Sequence, residues 1–87
     1  MARFELRFKT SVAKDLRSLP KQEVLRILER IETLRTNPRP TGSEKLSGHS
    51  LYRLRQGNWR VIYTIDDTEV VIEVIRIAHR RHSYRSL

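Results

Sequence analysis

Apolar and polar residues alternate at the start of the chain, where Phe4, Leu6 and Phe8 are separated by Arg3, Glu5, Arg7 and Lys9. A period of two with one apolar face predicts a half-buried strand. The period then changes. Thr10 or Ser11 is placed to cap a short helix carrying Val12, Ala13, Leu16 and Leu19 on one side. Pro20 suits the first turn of a second helix, where its missing N–H costs nothing. Val24, Ile27, Leu28, Ile31 and Leu34 follow the three-and-four spacing of an amphipathic helix. Arg26, Glu29, Arg30 and Glu32 fill its solvated side. Asn37-Pro38-Arg39-Pro40 ends it, because each proline disfavours helical geometry in the residue before it.

Residues Thr41 to Ser50, with Gly42 and Gly48, read as a loop anchored to the core by Leu46. A hairpin follows: Leu51 to Arg55, a turn at Gln56-Gly57-Asn58, then Trp59 to Ile65. Asp66-Asp67-Thr68 makes the next turn, and Glu69 to Ile77 forms a strongly β-branched strand. Neither a repeat nor an interdomain linker interrupts the pattern. The expectation is one α+β domain over residues 1–87, in the order β-α-α-β-β-β. Its helical hairpin packs on one face of a small, mainly antiparallel sheet.

The hairpin also predicts where its side chains point. With the turn centred on Gly57-Asn58, Arg55 faces Arg60, Leu54 faces Val61, Arg53 faces Ile62 and Tyr52 faces Tyr63. Tyr52, Leu54, Trp59, Val61, Tyr63 and Ile65 then share the face under the helices. Leu51, Arg53, Arg55, Arg60, Ile62 and Thr64 share the other. The last strand's turn leaves its register open by one residue, and that residue decides which of Glu73 and Arg76 joins the arginines.

Charge sharpens this picture. Lys+Arg number 18 against 10 Asp+Glu, a formal +8, and only Lys9, Lys14, Lys21 and Lys45 are lysine, leaving 18 − 4 = 14 arginines. Arginine grips phosphate with a rigid fork of donors, so the balance favours a polyanionic partner. Like charges facing each other across strands are destabilising. A sheet face with three arginines and no interleaved acid is accordingly explained either by an anionic ligand or by solubility. The end of the chain, Arg76-Ile77-Ala78-His79-Arg80-Arg81-His82-Ser83-Tyr84-Arg85-Ser86-Leu87, adds charge of the same sign and no acid. Alone it is compatible with a disordered basic tail. With the hairpin it supplies arginines for a phosphate, a histidine to move protons and a tyrosine to stack on a base. Cysteine is absent, which excludes disulfides and thiolate metal sites and suits a reducing compartment. With no signal-like or spanning apolar run, the chain is expected to be soluble and cytoplasmic, with no membrane partner.

The same residues carry a family likeness. Glu44-Lys45-Leu46-Ser47-Gly48 leads into Leu51-Tyr52-Arg53-Leu54-Arg55. Gly57-Asn58-Trp59-Arg60-Val61-Ile62-Tyr63, Ile77-Ala78-His79-Arg80 and Tyr84-Arg85 follow in order. The set resembles the RelE/ParE superfamily of toxin–antitoxin toxins, especially the RelE-type mRNA interferases. The resemblance implies a microbial-ribonuclease-like fold that cuts mRNA in the A site of the 70S ribosome, in contact with ribosomal RNA. It implies attack by the ribose 2′-hydroxyl, a cyclic phosphate product, no metal or other cofactor, and an acidic antitoxin as protein partner. It places catalytic roles on Arg53, Arg60, Arg80 and Tyr84; the chain's own chemistry adds His79 as a catalytic residue and Lys45, Arg55, Arg81 and Arg85 as expected RNA contacts.

One branch of the family has two lysines on the preceding strand, where this chain offers Arg53 and Leu51. Arginine stays protonated and is no ready general base. Glu44 and His79 are the candidates for that step, His79 being favoured because histidine titrates near neutrality. His49 and His82 read as surface residues. The alternative within the superfamily is a ParE-like toxin that poisons DNA gyrase by binding. Outside it stand a non-catalytic RNA-binding module and a degenerate toxin that only sequesters an antitoxin.

Overall fold

The computed structural model describes residues 3–46 and 50–81. Strand β1 (Glu5–Phe8) leads into helices α1 (Thr10–Arg17) and α2 (Lys21–Glu32), and a 3₁₀ turn (Thr33–Arg35) extends the second. Strands β2 (Ser43–Lys45), β3 (Tyr52–Gln56), β4 (Trp59–Asp66) and β5 (Val71–His79) complete it. The sheet order is β1-β5-β4-β3-β2, with β1 parallel to β5 and every other pair antiparallel. This is the expected α+β layout with one strand more.

The additional strand, β2, lies in the segment read as a loop. Ser43-Glu44-Lys45 has no strand signature of its own and is extended because β3 offers it an edge. Ser43 pairs with Leu54, Glu44 with Arg53 and Lys45 with Tyr52. The Arg55 and Leu46 amides extend the ladder by donating to the Gly42 and Leu51 carbonyls at 3.1 and 2.9 Å.

Neither Thr10 nor Ser11 caps α1. Lys9 holds that position without a side-chain cap. Its amide donates to the Val74 carbonyl at 2.9 Å, so the sheet sets the point of entry into the helix. Pro20 likewise stands one residue before α2, at its N-cap. The last strand begins at Val71, two residues later than its composition suggests. Asp66 Oδ1 accepts the Thr68 and Glu69 amides at 3.0 and 2.9 Å, and the turn closes on Val70 at φ +58°. That is left-handed backbone which a β-branched residue rarely adopts.

The core forms as the helix periodicity predicts. Val12, Ile27, Ile31 and Leu34 pack against Leu54, Val61, Tyr63, Ile72, Val74 and Ile77 of the sheet, and all are buried. Each fully buried aliphatic side chain contributes about 1.5–3 kcal/mol. The helices therefore cover one sheet face, and among the described residues no helix lies on the hairpin's other face. Among the described residues no helix is long and apolar enough to cross a membrane.

Candidate nucleic-acid interface

The hairpin register is the expected one: Tyr52↔Tyr63, Arg53↔Ile62, Leu54↔Val61, Arg55↔Arg60 and Gln56↔Trp59. Gly57 has φ +58° while Asn58 is not among the positive-φ residues, which fits a two-residue II′ turn with glycine first. Cross-strand partners share a face. Arg53, Arg55 and Arg60 thus stand together on the side away from the helices.

Their surroundings differ. The Arg60 guanidinium folds back on the turn, Nη1 donating to the Gly57 and Trp59 carbonyls at 2.9 Å each. Arg55 is exposed. Arg53 is half-buried and ion-paired with Glu44, its neighbour across β2. Glu44 therefore belongs to the arginine face.

Arg80 follows the end of β5, and its amide donates to the Asn58 carbonyl at 2.8 Å. This bond brings residue 80 beside the hairpin turn that Arg60 also contacts. Arg80 and Arg81 are exposed. Tyr84 and Arg85 lie outside the described residues, as do His49 and His82.

Two expected site residues are set apart. His79 pairs with Trp59, and the two rings meet edge-on at 5.2 Å between centroids, on the side of the sheet that carries the core. Its Nδ1 accepts the Arg81 amide at 3.3 Å. Lys45 is in register with Tyr52 and shares that same side at the sheet edge. The structure brings together Arg53, Arg55, Arg60 and Glu44, with the backbone of Arg80 alongside, and places His79 and Lys45 on the opposite side of the sheet.

A second element of the face escapes a strict alternation of side chains. The β4–β5 register shifts between Ile62 and Tyr63: Ile62 pairs with Arg76, but Tyr63 pairs with Val74. Ile75 is the extra residue of this β-bulge. Glu73, opposite Thr64, and Arg76, opposite Ile62, therefore both lie on the open face. The choice between them disappears.

The bulge separates two kinds of surface. On the turn side lie Arg53, Arg55, Arg60 and Arg76 around Ile62, which is fully buried although it faces away from the helices. On the other side Arg7, Thr64, Asp66, Glu69, Val71 and Glu73 line a polar recess of about 350 Å³. Arginines elsewhere are largely matched with acids: Arg3 and Arg35 with Glu32, Arg7 with Glu5, Arg26 with Glu23, Arg39 with Asp67. Among the described residues Arg55, Arg60 and Arg76 have no carboxylate partner.

The Arg39 contact serves the fold. Its guanidinium holds Asp67 through two nitrogens at 3.3 and 2.9 Å and donates from Nε to the Tyr52 hydroxyl at 3.2 Å. These bonds hold the Asp67 carboxyl below its ordinary range and raise the guanidinium pKa further. Behind Tyr52, the Tyr63 hydroxyl donates to the Pro38 carbonyl at 2.8 Å, and burial pushes its pKa up.

Unmatched guanidinium groups on a pleated surface can hold a phosphodiester and stabilise charge developing on it. Comparisons with known proteins point the same way. Residues 6–84 match the family described as the ParE toxin of the type II toxin–antitoxin system parDE. The chain is 35% identical to toxin RelE of Mycobacterium tuberculosis over 86% of its own length and 79% of that protein. The archaeal RelE–RelB complex of Pyrococcus horikoshii contains a chain 32% identical, with a TM-score of 0.82 over 93% of this chain and 99% of that one. A chain of the RelBE2 toxin–antitoxin complex of Mycobacterium tuberculosis superposes with a TM-score of 0.80 at 26% identity, covering 90% and 99%.

Proposed function

Because the chain belongs to the RelE/ParE superfamily of type II toxins, we propose that it is a ribosome-dependent endoribonuclease that cuts mRNA in the ribosomal A site. The observation that supports this most is the open sheet face, where Arg55 and Arg60 stand opposed without a carboxylate partner. Direct opposition of like charges lowers stability, so a face built this way suits an anionic ligand.

RNA brings its own nucleophile, the ribose 2′-hydroxyl. The protein's task is to align that oxygen with the scissile phosphate and to stabilise the charge that accumulates there. Arg60 and Arg80 take the second role, and Arg53 orients the phosphate. Of the two candidates for accepting the 2′-hydroxyl proton, Glu44 shares the arginine face and His79 does not. Glu44 is therefore the stronger one. Tyr84 stacks on a base beside the cut, and Arg55, Arg81 and Arg85 contact RNA around it, whereas Lys45, on the opposite side of the sheet, takes no part. The ribosome supplies the ordered substrate that so open a surface cannot shape alone. An acidic antitoxin keeps the protein silent; the similar RelBE2 chain was solved in a toxin–antitoxin complex, and the +8 net charge suits such a partner.

A second reading is favoured by the family match itself, whose description names ParE toxins: gyrase poisoning by binding alone. Expression without an antitoxin, followed by mapping of RNA ends, separates the two. The nuclease reading expects growth arrest with cuts inside translated codons. Arg60→Ala and Arg80→Ala should each slow cutting by roughly 10²–10³, the scale of losing one oxyanion donor, while each variant still unfolds in one cooperative transition. Intact transcripts with accumulating gyrase–DNA adducts would establish the rival.

A further inference from the structure

Arg76 was left unplaced by the sequence, and no role in the proposed site requires it. Its register gives it one. Ile62 lies between Arg53 on β3 and Arg76 on β5, so the two arginines flank the same buried apolar floor. Neighbouring strands are about 4.8 Å apart, which sets their backbones about 10 Å from each other. Arg60, one pair nearer the turn, completes a triangle with them. Arg76 is half-buried, and no hydrogen bond or ion pair occupies its guanidinium among the described residues. Beyond the bulge the face turns acidic, with Glu73, Asp66 and Glu69 around the recess that Arg7 also lines.

We propose that Arg76 is an additional RNA-binding residue, holding a phosphate next to the scissile one and marking where the RNA track ends. The assignment rests on the nuclease reading for the identity of the polyanion. Its local case is the bulge, which turns Arg76 onto the open face. A phosphate passing further would meet the carboxylates of Glu73 and Asp66. The strand is thereby confined to the half of the sheet nearer the turn.

The test compares the whole protein with its Arg76→Met and Arg76→Lys variants. Methionine keeps an apolar stem beside Ile62 and removes the charge, whereas lysine keeps the charge without the fork. Each is titrated with a short 2′-O-methylated single-stranded RNA, which cannot be cut, over a series of salt concentrations. Arg76→Met should bind about tenfold more weakly. Its plot of log affinity against log salt should be shallower by about 0.7, the value for one lost phosphate contact on a single strand. Arg76→Lys should recover most of the slope. On programmed ribosomes Arg76→Met should raise KM and leave kcat nearly unchanged.

Wild-type affinity and slope in Arg76→Met, from a protein that binds and cuts RNA, overturns the Arg76 assignment and spares the nuclease reading. So does equal loss in both variants together with lowered melting temperatures, which means a structural role. A variant normal with RNA but weak with an acidic antitoxin segment would move Arg76 to the protein interface. A wild-type protein that neither binds nor cuts RNA overturns both proposals and is recognised without any variant.

Discussion

The opposition of Arg55 and Arg60 makes the candidate site a source of instability that mutation can release. Arg60 is held by two carbonyls at 2.9 Å, whereas Arg55 is exposed and makes no side-chain hydrogen bond or ion pair among the described residues. Arg55 is therefore the member to replace, and threonine keeps the β-propensity of its strand. Cβ atoms of direct cross-strand neighbours are about 5 Å apart, which places the guanidinium centres roughly 7 Å apart. Two unit charges at about 7 Å repel by about 0.6 kcal/mol at the permittivity of water and about 2.4 kcal/mol at an effective value of 20. With a Debye length of about 10 Å near 0.1 M salt, roughly half of that survives, or about 0.3–1.2 kcal/mol. For a domain of this size ~1 kcal/mol is worth about 4–8 °C. Arg55→Thr should thus melt about 1–10 °C above wild type in a thermal scan near 0.1 M salt. Close to 1 M salt the Debye length shrinks to about 3 Å, and most of the gain should vanish. RNA binding should fall in the same variant. A lower melting temperature at low salt, or a gain that persists in concentrated salt, would refute the idea that the site is held together against charge repulsion.

Further predictions concern the frame that presents this face. At Gly57 the backbone is left-handed at φ +58° and an added Cβ meets no atom within 4 Å, so Gly57→Ala carries only a conformational cost. Denaturant unfolding should report a loss of about 1–2 kcal/mol. Removing the Tyr63 hydroxyl with phenylalanine leaves the Pro38 carbonyl without its donor and should cost about 1 kcal/mol near neutral pH. Because burial raises the Tyr63 pKa, the neutral phenol's contribution is fully present below the ordinary phenol range near 10. It is lost as pH rises from there through the folded-state value. Melting curves should accordingly show a shallower alkaline decline in Tyr63→Phe than in wild type.

Much of this arrangement was legible in the residues. Gly57-Asn58 fixes a two-residue turn, and a fixed turn fixes the hairpin register, so the common face of Arg53, Arg55 and Arg60 followed from counting. The second helix was equally plain, because Ile27, Ile31 and Leu34 sit on one stripe and all three are buried. What was not legible depended on partners distant in sequence. Ser43-Glu44-Lys45 is a strand only because β3 has a free edge, and that edge delivers Glu44 to Arg53. Lys9 caps α1 because its amide is bound to Val74. His79 has the chemistry of a proton carrier and arginine neighbours in the chain, but its register turns it towards Trp59.

The bulge is the instructive case, since a signal for it does exist. Along β5 the core residues are Ile72 and Val74, then Ile77, so the apolar phase slips from even to odd positions. A strand of strict period two cannot bury both Val74 and Ile77. One would turn out to solvent, forfeiting about 1.5–3 kcal/mol, and Glu73 or Arg76 would be driven under the helices. Desolvating an unpaired charge costs far more than that. A bulge at Ile75 removes both penalties and disturbs the ladder locally, at about 1 kcal/mol per hydrogen bond lost. The balance favours the bulge by several kcal/mol, and its consequence is chemical as well as structural. Two charged residues three apart reach one surface, with Arg76 among the arginines and Glu73 facing the acidic recess. The boundary of the site is thus set by the packing demands of the opposite face of the same strand.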